Sequence, residues 1–173
     1  MPIRATVTGI AQQTVEMSGD TIYVGTGNVL PLRSREVRTL DVSAIHKSGD
    51  ISQAMKDAVG RENLTSGHGG VVWDVRCAPN REYRYLSELA RGLGEGGSAL
   101  SEGPVALILD QDIAMLVGRL IAEELDIKRE VVVLDGISLK GVHFVDLGRF
   151  RPESNTVPVV LKSLVFLDRS SED

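Results

Sequence analysis

The pattern between Val105 and Leu134 constrains the fold more than any other part of the chain. Val105-Ala106-Leu107-Ile108-Leu109 is a continuous apolar run, and Val131-Val132-Val133-Leu134 is a second one rich in β-branched residues. Between them, Gln111 to Leu125 places Ile113, Ala114, Leu116, Val117, Leu120, Ile121 and Leu125 on one face at helical spacing. Two strands joined through a helix pair in parallel and cross over right-handedly. The unit also needs cover on both sheet faces. The expected class is therefore α/β, with mixed sheets and this βαβ unit near the C-terminus.

Further strands bracket the unit. Phe144-Val145-Asp146-Leu147-Gly148 and Val157 to Phe166 follow a turn at Lys140-Gly141 and a loop at Pro152-Glu153-Ser154-Asn155. The nearly continuous run from Val157 predicts a strand covered on both faces, with Lys162 at an edge or against an acidic partner. Upstream, residues 3–9 read as a buried strand. Gln13–Met17 and Thr21–Val24 read as a hairpin turned at Ser18-Gly19-Asp20. Arg35–Leu40 and Val71–Val75 read as strands, and residues 51–59 as a helix ended by Gly60. A helix is expected over Arg81–Arg91.

Gly92-Leu93-Gly94-Glu95-Gly96-Gly97-Ser98, running on to Gly103-Pro104, has the composition of a flexible linker. This divides the chain into an N-terminal α/β segment (1–91), a Gly/Ser linker (92–104), the βαβ unit with the terminal strands (105–168) and a disordered tail (169–173).

Composition narrows the function classes. A net charge of −5 gives no basic face for nucleic acid or an anionic membrane. No apolar run approaches the length of a membrane span, and Met1-Pro2-Ile3-Arg4 leads into a strand rather than a signal segment. A single cysteine, Cys77, makes no internal disulfide and fits a reducing cytoplasm.

Several residues carry candidate chemistry. Asp110 and Asp112 follow a parallel strand, where open α/β sheets place ligands, so magnesium or ribose binding competes there with capping of the next helix. The glycines from Gly92 follow a helix instead of a strand, so they do not make a dinucleotide loop. His46, His68 and His143 lack paired spacing and Cys77 has no second thiol, so no metal site is expected. Cys77 reads as a buried core thiol. His68-Gly69-Gly70 has no nucleophile elbow to serve, and Lys140 at its turn has the wrong neighbours for a carrier lysine.

Ile3-Arg4-Ala5-Thr6-Val7-Thr8-Gly9, Ser18-Gly19-Asp20-Thr21-Ile22 and Leu30-Pro31-Leu32-Arg33 carry a resemblance, together with Val131 to Ile137, Phe144 to Gly148 and Val157 to Phe166. In this order the segments resemble the C-terminal part of the ethanolamine ammonia-lyase reactivating factors. The resemblance implies an actin-like ATPase fold, with residues 1–91 as the adenosine-side lobe. It implies a chaperone-like role in which ATP and magnesium drive exchange of damaged cobalamin for adenosylcobalamin on the lyase. It further implies a cytoplasmic protein associated with a bacterial microcompartment, with ethanolamine ammonia-lyase as partner.

Val7-Thr8-Gly9-Ile10-Ala11 matches the segment that brings a glycine against adenosine. Thr8, Ile10 and Ala11 depart from the family pattern and only Gly9 carries over as a cofactor-binding residue. No Asp-x-Gly turn followed by Thr or Ser is present; Asp146-Leu147-Gly148 is followed by Arg149-Phe150. The phosphate-binding half is absent from this chain, which leaves its own enzymatic activity open. A separate N-terminal ATPase half would supply that part, and the alternative is a non-enzymatic interaction module that kept the fold and lost the nucleotide.

Overall fold

The computed structural model describes residues 7–26, 28–60 and 70–166. Strands β1 (Val7–Ser18), β2 (Ile22–Val24) and β3 (Leu32–Asp41) precede helix α1 (Ser48–Gly60), strand β4 (Val71–Arg76) and helix α2 (Tyr83–Leu100). Strand β5 (Val105–Leu109), helix α3 (Ala114–Arg119), β6 (Val131–Asp135), β7 (Phe144–Leu147) and β8 (Thr156–Phe166) follow. A π-helical segment, Leu120–Glu124, continues α3.

The strands form one eight-stranded sheet in the order β1-β8-β7-β3-β4-β5-β6-β2. Its centre, β3-β4-β5-β6, is parallel, and the expected βαβ unit pairs Val105–Leu109 with Val131–Asp135 residue for residue. Strands β2, β7, β8 and β1 join antiparallel.

Alternation along the central strands splits the core in two. Val75, Leu107, Leu109, Val131 and Val133 meet the helices through Ile51, Met55, Leu89, Leu93, Val117 and Ile121. Val72, Ala106, Ile108, Val132 and Leu134 face the other way and share a cluster with Val145, Leu147, Val157, Val159 and Leu161. Residues of β7 and β8 reach residues of β5 and β6 in the same sheet only if that sheet curls. The parallel centre is thereby covered on both faces, as its apolar strands require.

Five expectations change. The segment read as a linker (92–104) is mostly the second half of α2, and Gly92, Gly94, Gly96 and Gly97 are buried there. They are glycines because neighbours stand where side chains would be. A Cβ on Gly92 would lie 2.6 Å from Ile51 Cβ and 2.9 Å from the Ser48 carbonyl oxygen. A Cβ on Gly97 would lie 2.9 Å from Val105. Close helix approach, not chain flexibility, explains the composition. The sheet also runs through both proposed segments, taking β3 and β4 from the first and β5 and β6 from the second.

The expected hairpin does not form. β1 pairs with β8 over its whole length, while β2 crosses to the far edge and pairs with β6. The helix after β5 starts at Ala114, three residues later than Gln111. β8 is covered on one face only: Val157, Val159 and Leu161 are buried, Val160 and Leu164 half-buried, and Val165 and Phe166 exposed. Residues 3–6 of the first expected strand, the His68 loop and the expected tail (169–173) lie outside the described residues.

Candidate functional site

The carboxyl ends of β4, β5 and β6 bring Asp74, Asp110 and Asp135 to one end of the parallel sheet. Each follows an apolar run whose burial fixes the strand and hence the register of its last residue. A pocket of about 340 Å³ opens there, lined by Asp74, Arg76, Leu109, Asp110 and the backbone turn Gly136–Leu139. Gly136 has φ +75°, which lets the chain turn back over the pocket immediately after β6.

The three carboxylates are differently committed. Asp74 is 8% exposed, and among the described residues its Oδ2 accepts one long bond, 3.4 Å, from Thr39 Oγ1. Burial raises its carboxyl above the ordinary range, against the opposing pull of Arg76. Asp110 is exposed at the rim, yet its Oδ1 accepts from the Cys77 backbone N–H at 2.9 Å and from Cys77 Sγ at 3.3 Å. Asp135 is 1% exposed, and its Oδ2 accepts from the Ala114 N–H at 2.7 Å, while its buried Oδ1 has no partner among the described residues. Burial raises the Asp135 carboxyl as well.

These bonds revise the roles read from sequence. Asp110 does not cap the following helix; it ties β5 to the turn after β4. Asp135, from the next strand, caps α3 instead. Asp112 is exposed and lines no part of the pocket. Asp74 and Asp135 were missed as candidates, although a lone aspartate inside or closing an apolar strand is the signal that marks them. Cys77 is buried, as the sequence suggests, and burial followed by the Asp110 hydrogen bond pushes its thiol up to about 12. That thiol stays protonated and is no nucleophile.

The pocket therefore combines a buried acid whose carboxyl burial raises, an exposed carboxylate and the Arg76 guanidinium. Such a set offers both hydrogen-bond acceptors and a cationic donor at one end of the sheet. Among the described residues no group of three or more His, Cys, Asp or Glu side chains converges to hold a metal. No described helix is long and apolar enough to cross a membrane.

Gly9 lies elsewhere. It sits in β1 opposite Val165, beside a register irregularity, and is exposed. A Cβ there would meet nothing within 4 Å, so the chain's own packing does not demand glycine. Asp146-Leu147-Gly148 is not free to grip phosphate. Asp146 Oδ2 holds Lys162 Nζ at 2.7 Å, its Oδ1 accepts from the Ser34 N–H at 2.6 Å, and Pro158 packs where a Gly148 side chain would be.

Comparison with known proteins fits the chain to one family. The family described as ethanolamine utilisation protein EutA matches residues 2–167, so the chain belongs to that family. A curated relative, the ethanolamine ammonia-lyase reactivase EutA of Salmonella typhimurium (strain LT2), is 25% identical over 165 residues. The match covers 95% of this chain but 34% of the relative, so the chain spans about one third of that protein's length. No solved structure matches the chain.

Proposed function

We propose that this chain is the C-terminal portion of a reactivating factor for ethanolamine ammonia-lyase, serving as sheet scaffold and partner surface in the exchange of damaged cobalamin for adenosylcobalamin. The observation that carries this reading is the family match across residues 2–167, nearly the whole chain. In this reading the sheet is the adenosine-side lobe of an actin-like ATPase, and Gly9 is its one inherited contact toward adenosine. ATP and magnesium would be gripped by phosphate-binding turns on a separate N-terminal half. The protein would work in the cytoplasm, beside or within a bacterial microcompartment.

A second reading, an interaction module without nucleotide, is favoured by one observation: the carboxylate of the Asp-x-Gly turn is already committed to Lys162 and Ser34. Isothermal titration of the chain with ATP and magnesium, and then with ethanolamine ammonia-lyase, separates the two. Heat on adding the lyase supports a reactivase part, and nucleotide binding lost in Gly9→Val supports the adenosine contact. Lyase binding with no nucleotide binding, by the chain alone and again with the separate N-terminal half added, selects the module. Failure to bind the lyase under either condition sinks both.

A further inference from the structure

The two edges of the sheet are β1 and β2. β2 is three residues long, a short edge of the kind native sheets favour. β1 is 12 residues long; apart from the register irregularity between Val7 and Gly9 its guards are few, and Val7–Ser18 contains no Pro, Lys or Arg. Its one charge, Glu16, is already paired with Arg151 at 2.9 Å.

The direction of its main chain follows from the bonds of β8. The carbonyls of Pro158 and Lys162 accept from Gly148 and His143, on the β7 side. Even-numbered residues of β8 thus turn their main chain to β7 and odd-numbered ones to β1. In the register Met17–Val157, Val15–Val159, Gln13–Leu161 and Ala11–Ser163, the odd residues of β1 take those bonds. Ile10, Gln12, Thr14 and Glu16 therefore point both N–H and C=O away from the sheet. Among the described residues nothing covers them, and Ile10 is 57% exposed. At Ser18 the pattern closes, because Thr21 Oγ1 donates to the Ser18 carbonyl at 2.7 Å.

We propose that β1 is a self-pairing edge, joining two copies of this chain antiparallel about a two-fold axis so that their sheets become continuous. Charge and register select a second copy as the occupant. The chain carries −5 overall, so two copies repel unless they meet on a neutral surface, and the β1 edge is neutral from Val7 to Val15. An acidic or basic strand would find no counter-charge there. With the axis at Gln13, Ile10 faces Glu16 of the second copy and Gln12 faces Thr14 of the second copy. Every outward group then meets a complement, and the two Glu16–Arg151 pairs lie at opposite ends of the joint. This is an isologous contact, self-complementary as a two-fold dimer requires.

Sedimentation velocity of the chain over a concentration series tests the proposal, with amide hydrogen exchange at Gln12, Thr14 and Glu16. The expected result is a dimer whose outward β1 amides slow as dimer forms. Thr14→Pro removes an outward N–H at a position where an edge strand tolerates proline. Gln12→Lys adds a guard charge without touching the fold. Each should raise the dimer dissociation constant by roughly tenfold or more, with melting of the monomer unchanged for Gln12→Lys. A chain that is monomeric at every concentration overturns the proposal. So does a dimer indifferent to both variants. A monomer whose β1 amides slow only when ethanolamine ammonia-lyase is added assigns the edge to the lyase and overturns self-pairing as well.

Discussion

The Lys162 ammonium lies 2.7 Å from Oδ2 of Asp146 across the β7–β8 pair, and the same carboxylate accepts from Ser34 on β3. One carboxylate thus ties together three neighbouring strands at a place where Ser34 holds φ +51° and the β3–β7 register shifts. Asp146→Ala should lower stability by about 2 kcal/mol, because it strands both Lys162 and the Ser34 amide. Lys162→Met should cost less, since the Ser34 bond survives. Denaturant midpoints decide this, and equal losses would mean that the Ser34 bond contributes nothing.

The pair also sets an acid dependence. Burial works to raise the Asp146 carboxyl, but the Lys162 and Ser34 bonds outweigh it and the native value is lowered. A lowered native value means that the unfolded chain binds the proton first. The contribution is complete above the unfolded carboxylate value, about 4, and disappears as pH falls through the native value below it. The penalty of Asp146→Ala should therefore shrink on acidification below about pH 4. A penalty constant with pH would remove the charge from the explanation.

Lys162 was legible before the fold, because an ammonium inside an apolar strand needs a partner wherever that strand goes. The same holds for the runs Val71–Val75, Val105–Leu109 and Val131–Leu134, whose lengths and β-branched content favour strands over helices. What stayed hidden depended on contacts far apart in sequence. Local turn chemistry at Ser18-Gly19-Asp20 suggests a hairpin, but burying β2 against Val132–Leu134 wins over the nearer partner. The glycines of α2 carry a flexible signature in isolation and a packing signature only once Ile51 and Val105 stand against them. The candidate site divides the same way: Asp110 was visible as a strand-end acid, whereas the cap donated by Asp135 requires knowing that β6 lies beside β5.

Asp135 gives a pH effect of opposite sign. Burial raises its native carboxyl value, so the folded chain holds the proton at pH values where the unfolded chain has released it. Stability from this group is complete below the unfolded value, about 4, and is lost as pH rises through the native one. In Asp135→Asn the stability of the variant minus that of the parent should rise with pH across this window. Thermal melts of both proteins from acid to neutral pH measure it, and a flat difference would refute the assignment.

Cys77 should be inert. With its thiol pushed up to about 12, it carries almost no thiolate at pH 8, and burial keeps reagents away. Ellman's reagent should label it only at the rate of unfolding. Asp110→Asn should increase labelling modestly, because burial, the larger cause, remains. Rapid labelling of the folded parent would show that the turn after β4 opens.

The glycine half of α2 should behave as a rigid packed helix. Gly92→Ala puts a methyl against the Ile51 side chain and the Ser48 carbonyl oxygen, and backbone on that side cannot yield cheaply. Overpacking of this kind costs about 3 kcal/mol and outweighs the ~1 kcal/mol that alanine contributes to a helix. Gly60→Ala makes the control, as a Cβ there meets nothing within 4 Å. Limited proteolysis should accordingly leave residues 83–100 uncut in the parent and admit cleavage there in Gly92→Ala. Early cleavage of the parent between Gly92 and Leu100 would restore the linker reading and undo the packing argument for all four glycines.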